Sequence, residues 1–174
     1  EKKVCIAGGG ALNSVANGKI FNQTKFEETC IQPAAGDDGL SLGAALYVYN
    51  SVLGNKKRYV MKGSYLGPEY SDDEVKVALE SKGIPYTKLN KKDLIDSTVN
   101  EIASDNVVGW FQGKMEWGPR ALGNRSILGN PSSKNMKEIL NSRIKRREWF
   151  RPFAPVVLEE KQSEIFENNH PSPH

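Results

Sequence analysis

A short apolar run, Lys3–Ala7, meets three consecutive glycines, Gly8-Gly9-Gly10, and a helical spacing of Leu12, Val15, Ala16 and Ile20 follows. Strand, glycine turn, helix is an order that lets a backbone approach a ligand closely. The turn permits positive φ and leaves backbone N–H groups uncovered near a helix start. Asn13 and Asn17, four residues apart, share one face of the following helix, and both carry groups that hydrogen-bond a sugar or a base edge. A tight strand–helix turn with a surface pair of asparagines accounts for the same residues, and both readings stand.

The rest of the chain alternates in the same way, which makes it mixed α/β. Asp37 and Asp38 lie between Gly36 and Gly39 and suit either a cation or the N-cap of the next helix, Asp38 being placed for the cap. Leu40, Leu42, Ala44, Ala45, Leu46 and Val48 then predict a mostly buried helix ending near Gly54. The glycine-containing stretch Gly63–Pro68 is the expected domain boundary. Ser71-Asp72-Asp73-Glu74 has the form of a capping box for a helix to about Lys82, with Val75, Ala78 and Leu79 inward. Leu94, Ile95, Thr98, Val99, Ile102 and Ala103 mark an amphipathic helix. Val107–Phe111 reads as a strand, and Met136, Ile139, Leu140 and Ile144 as a helix capped by Ser132 or Ser133. Ala154–Leu158 reads as a strand and Glu160–Phe166 as a short helix.

The densest chemistry lies in Gly113–Leu128. Lys114, Arg120 and Arg125 are set among three glycines and a proline, with Asn124 and Ser126 as neutral hydrogen-bonding groups. The planar fork of arginine matches phosphate and carboxylate oxygens. Arg120 and Arg125 are five residues apart, about 140° on an ideal helix, so a turn is needed to aim both at one anion. The competing reading is a solvated basic loop with Trp117 packed beneath it. Lys145, Arg146, Arg147 and Arg151 then alternate with Trp149, Phe150 and Phe153. Of these Arg151, held between aromatics, has the strongest claim to a role. Such interleaving stacks nucleic-acid bases or lines a small nucleotide pocket.

Composition narrows the classes. The formal charge of +3, from 24 basic and 21 acidic residues, does not mark a nucleic-acid binder. No apolar run approaches the ~18–20 residues of a membrane span, which argues against a membrane partner. Cys5 and Cys30 are too few for a disulfide scaffold and read as reduced thiols of a cytoplasmic protein. The chain opens on a strand-like run without an initiating methionine and ends at Pro171-Ser172-Pro173-His174, so it is expected to be a piece of a longer protein.

Residues 5–19 (CIAGGGALNSVANGK) and 32–45 (QPAAGDDGLSLGAA) resemble the adenosine-motif region and the next block of actin/acetate-kinase-like domains. The version they are most similar to is that of bacterial O-carbamoyltransferases of the nodulation-protein and cephalosporin-carbamoyltransferase type. Residues 113–128 (GKMEWGPRALGNRSIL) with 147–155 (REWFRPFAP) look like the signature of the YrdC-like domain of the same family. The resemblance implies the end of an actin-like domain over residues 1–63 and a C-terminally truncated YrdC-like domain over 64–174.

It also implies an activity. The YrdC-like domain would combine carbamoyl phosphate with ATP and Mg²⁺ into a carbamoyl-adenylate. The other domain would pass the carbamoyl group to a hydroxyl of a small molecule or saccharide. Matching positions imply Lys114, Arg120, Arg125 and Arg151 as the cations on the phosphates. Gly8, Gly9, Gly10, Asn13, Asn17, Asn124 and Ser126 are implied as nucleotide or donor contacts. In related tRNA-threonylcarbamoyl transferases an aspartate ligates a divalent metal such as iron, and Asp37 matches it.

The family's His-x-x-x-His metal pair is absent from these residues; the two histidines are His170 and His174. Asp37 alone does not hold such a metal tightly, so the chain by itself is expected not to complete transfer. A homo-oligomer is compatible with the family. The rival expectation is a nucleotide- or RNA-binding module related to tRNA threonylcarbamoylation.

Overall fold

In the computed structural model, which describes residues 1–167, a two-stranded parallel sheet pairs β1 (Lys3–Ile6) with β2 (Glu28–Ile31). Parallel neighbours need a long crossover. It is supplied by a 3-10 turn at Gly9–Leu12 and two one-turn helices, α1 (Ser14–Asn17) and α2 (Ile20–Gln23). The single helix expected here is broken because Asn13, in extended conformation, ends the 3-10 turn and caps α1, its Oδ1 accepting from the Ala16 N–H at 3.1 Å. The register sets Lys3 against Glu28, with a 2.7 Å ion pair, and Cys5 against Cys30. Burial of Cys30, then the neighbouring Cys5, pushes the Cys30 thiol up from its ordinary pKa.

A 3-10 turn at Asp37–Gly39 leads into α3 (Leu40–Tyr47), which widens into a π turn at Val48–Val52. Gly39 must be glycine, since a Cβ there would meet the Ala34 carbonyl oxygen at 2.1 Å. The helix forms but is not the mostly buried one that its apolar residues predict: Leu42, Leu46 and Asn50, four apart on one stripe, are half-buried, while Leu40, Tyr47 and Leu53 are exposed. Apolar residues all round the helix outnumber the one face that packs.

The capping box forms. The Ser71 side chain accepts from the Glu74 N–H and Glu74 accepts from the Ser71 N–H, opening α4 (Asp72–Ser81). Val75 and Leu79 turn inward and Ala78 does not. Asn90 caps α5 (Lys91–Ala103), whose Leu94, Ile95 and Val99 remain exposed. β3 (Val108–Phe111) pairs antiparallel with β4 (Arg125–Leu128). α6 (Met136–Ile139) continues as a π turn over Leu140–Lys145. Neither Ser132 nor Ser133 caps it with a side chain. Asn135 holds the cap position, and Ser133 offers only its carbonyl to the Met136 N–H.

The strand expected at Ala154–Leu158 does not form, because Pro155 lacks the N–H that a ladder needs. A 3-10 turn at Glu159–Lys161 and α7 (Gln162–Ile165) close the described chain.

The chain forms two compact units. The first is Glu1–Glu69 with Gly113–Asn124; the second is Tyr70–Gln112 with the chain from Arg125 onward. The boundary falls one residue beyond Pro68, and the connection from β3 to β4 returns to the first unit. Among the described residues, Ala11, Ala34 and Ala35 are the buried apolar residues of the first unit, Met136 and Leu140 those of the second. Among the described residues no helix is long and apolar enough to cross a membrane.

Candidate functional site

The first unit brings the segment from Gly113 to Arg120 against three stretches far earlier in sequence, at residues 64–68, Pro33 and Leu12. Residues 113–117 are tied to 64–68 by backbone hydrogen bonds: Gly67 N–H to Met115 O at 2.9 Å, Met115 N–H to Pro68 O at 2.9 Å, and Trp117 N–H to Ser64 O at 2.6 Å. Gly118, at φ +119°, lies so close to Pro33 that a Cβ would be 2.7 Å from its carbonyl oxygen. The Arg120 guanidinium then donates to the carbonyl of Leu12, in the turn after the three glycines. Arg120 and the glycine turn, which sequence reading assigned to separate sites, are therefore neighbours.

One side chain shapes the basic loop from inside. Glu116, only 7% exposed, accepts from the backbone N–H groups of Leu122 and Asn124, both at 2.8 Å. Sequence reading expected backbone N–H groups of this loop to serve an anion, and Glu116 already holds two of them. Asn124 donates its side-chain amide to the Lys114 carbonyl at 2.7 Å, closing the loop. Lys114 and Arg120 are exposed. Trp117 is half-buried and lines a hollow of about 360 Å³ with Ser41, Leu42 and Leu66.

The glycine turn is built differently from the expectation. Of Gly8, Gly9 and Gly10, only Gly8 uses positive φ, at +92°, and its N–H donates to Ala35 O at 2.7 Å. Asn17 donates to the Ala11 carbonyl at 2.7 Å, so Asn13 and Asn17 both brace the turn. Asp37 opens the 3-10 turn that begins α3, and Asp38 is not the expected cap. Gly36 and Gly39 occupy the cap positions and neither helix start has a side-chain cap bond. Among the described residues no three histidine, cysteine or acidic groups come together as a metal site, and His170 and His174 lie outside those residues.

In the second unit, Arg125 stands on β4 beside Phe111. Its guanidinium lies 3.6 Å from the ring centroid and donates to the Gln112 carbonyl at 2.7 Å, a cation–π contact reinforced by a hydrogen bond. Ser126 faces Trp110 in the same ladder. Arg151 pairs with Glu148 at 2.8 Å. The Glu148 carboxyl lies below the ordinary carboxylate range, chiefly through its own backbone N–H and then through Arg151. Trp149, 76% exposed, meets Phe150 edge-on at 6.1 Å.

Sequence reading gave Glu116 and Asn141 no role. Glu116 left a signal, as an acid enclosed by glycines and cations; Asn141 left none, because it lies beside the apolar stripe of Met136, Leu140 and Ile144, where a polar residue is ordinary.

Residues 1–46 match the family model of the carbamoyltransferase N-terminus, and residues 99–174 match that of the carbamoyltransferase C-terminus. The chain belongs to the carbamoyltransferase family. Nodulation protein NolNO of Sinorhizobium fredii is 41% identical over 170 residues, 95% of this chain and 25% of that protein. Nodulation protein U of Rhizobium fredii is 33% identical over 174 residues, 99% of this chain and 28% of that protein. An uncharacterized protein of Synechocystis sp. is 47% identical over 179 residues, again 99% of this chain. The chain spans 29% of that relative's length.

Proposed function

We propose that the protein containing this chain is an ATP-dependent O-carbamoyltransferase. It makes carbamoyl-adenylate from carbamoyl phosphate and ATP and carbamoylates a hydroxyl of a small molecule or saccharide. The observation that carries this reading is the match of residues 99–174 to a carbamoyltransferase C-terminus, because Lys114, Arg120, Arg125 and Arg151 all fall inside it. The actin-like and YrdC-like assignments of the two parts belong to the same proposal.

The chemistry suits these residue types. Carbamoyl phosphate loses phosphate to water and leaves carbamate. A carbamate oxygen then forms a bond to the α-phosphorus of ATP, and the bond to pyrophosphate breaks. The acceptor hydroxyl oxygen next bonds to the carbamoyl carbon, the bond from that carbon to the AMP oxygen breaks, and the hydroxyl proton passes to solvent. Negative charge on the phosphoryl oxygens grows in the adenylating step, and fixed guanidinium and ammonium groups stabilise it. Asp37 supplies one carboxylate, too few for a metal held by these residues alone, so no step is routed through a resident metal.

Calorimetry with ATP, carbamoyl phosphate and a short RNA tests the reading. Carbamoyl phosphate should bind, and Lys114→Ala with Arg120→Ala should abolish it. The exposed Trp149 and Phe150 among arginines favour an RNA module as the second reading. RNA binding that falls steeply with salt, with no response to carbamoyl phosphate, would replace the first reading with the second.

A further inference from the structure

Asn141 is the largest fully buried side chain among the described residues, at 1% exposure. A buried carboxamide is costly unless its donors and acceptor are used. Its Nδ2 donates to the carbonyls of Trp149, at 3.2 Å, and Arg151, at 3.0 Å. Its Oδ1 accepts from Arg147 Nε at 2.8 Å, and its backbone carbonyl accepts from the Arg147 N–H at 3.0 Å. One side chain thus fixes three of the five residues from 147 to 151.

The surrounding backbone explains how it reaches them. The chain widens into the π turn of Leu140–Lys145 and reverses at Arg146, which takes left-handed φ 49° and ψ 53°. π turns occur often at functional sites. A non-glycine residue held at positive φ persists where its surroundings over-determine it. Here the surroundings are the bonds to Asn141 and the Arg147 guanidinium 4.8 Å from the Phe153 ring centroid.

We propose that Asn141 is a positioning residue for a phosphate-type anion. By pinning the carbonyls of Trp149 and Arg151, it fixes the direction in which Arg151 leaves the backbone. This rests on the reading of Arg151 as an anion-binding cation. Aliphatic packing would fill the same volume. It would not orient two carbonyls and a guanidinium.

A double-mutant cycle on the full-length carbamoyltransferase containing this chain tests it. The variants are Asn141→Asp, Arg151→Ala and both together, with calorimetric binding of carbamoyl phosphate and of inorganic phosphate as probes. Asn141→Asp keeps the shape and replaces the donors with an acceptor facing two carbonyls. Each single change is expected to weaken carbamoyl phosphate binding about tenfold or more, and the double variant to bind no more weakly than Arg151→Ala.

If Arg151→Ala weakens binding while Asn141→Asp has no effect, or adds to it independently, the positioning role is overturned and the proposed function stands. If Arg151→Ala changes nothing, the anion reading of Arg151 falls and takes this inference with it. Should Asn141→Asp fail to fold, Asn141→Ser carries the same cycle, with hydrogen exchange at the amides of residues 147–151 reporting whether the loop loosens. Unchanged exchange there would equally overturn the role.

Discussion

Glu116 shows how a single residue redirects the reading of a motif. Gly113–Leu128 looks in sequence like a row of cations with backbone donors beside them, yet two of those donors end on Glu116. Glu116→Ala would remove the acceptor from two partly buried N–H groups, each costing ~1–3 kcal/mol when orphaned. Urea unfolding should show a loss of about 2–6 kcal/mol, and Glu116→Gln, which keeps an oxygen acceptor, a loss of about 1 kcal/mol. A loss below about 0.5 kcal/mol for the alanine variant would contradict this account of the loop.

Glu148 gives a second residue-scale test. Its carboxyl titrates low chiefly through its own backbone N–H and then through Arg151. Arg151→Ala should therefore move its titration part of the way back toward the ordinary carboxylate value, read by NMR. In the unaltered protein the Glu148–Arg151 pair should persist from neutral pH down past that ordinary value and be lost only as pH falls through the lowered one. A titration unchanged in Arg151→Ala would show that Arg151 does not hold it.

At the scale of elements, the capping box is the clearest case of sequence dictating structure. Ser71→Ala should cost about 1 kcal/mol at neutral pH. Hydrogen bonds from Ser71, the backbone one first, lower the Glu74 pKa, so the Glu74 half of the box is present above the ordinary carboxylate pKa. It should fade as pH falls through the lowered value. Helical content that fails to fall in Ser71→Ala would contradict it.

Local signals of this kind made α4, α5, β3 and α7 legible. β2 and β4 were not legible, because a strand of four residues has too little pattern of its own and exists through its partner. α3 was legible as a helix but not as an exposed one, since composition does not say which apolar face is covered. Pro155 was visible, yet the apolar residues around it outweighed the donor it lacks. The pairing of Cys5 with Cys30 also comes only from register. Removing the neighbour in Cys5→Ser should lower the Cys30 pKa and speed its alkylation near pH 8; an unchanged rate would argue against their contact.

The whole molecule was the least legible scale. The resemblance of residues 113–128 to a YrdC-like signature puts the basic segment in the C-terminal part, residues 64–174. The structure sends Gly113–Asn124 back to the first unit and rejoins the second at Arg125. Lys114 and Arg120 therefore belong to one unit, Arg125 and Arg151 to the other. What placed the segment is three backbone hydrogen bonds to residues 64–68 and the close approach of Gly118 to Pro33, neither of which leaves a hydrophobic pattern. Gly118→Ala, strained at φ +119° and colliding with Pro33, should loosen this docking, seen as faster hydrogen exchange at Met115 and Trp117. Unchanged protection would contradict it.

The central proposal is that these cations serve an adenylating carbamoyltransferase. The most direct measurement is pyrophosphate release by the full-length protein from ATP, with and without carbamoyl phosphate. It predicts release that depends on carbamoyl phosphate and falls at least ~100-fold in Arg120→Ala, as loss of a charge-stabilising donor does. Pyrophosphate release indifferent to carbamoyl phosphate, or unaffected by Arg120→Ala, would contradict it.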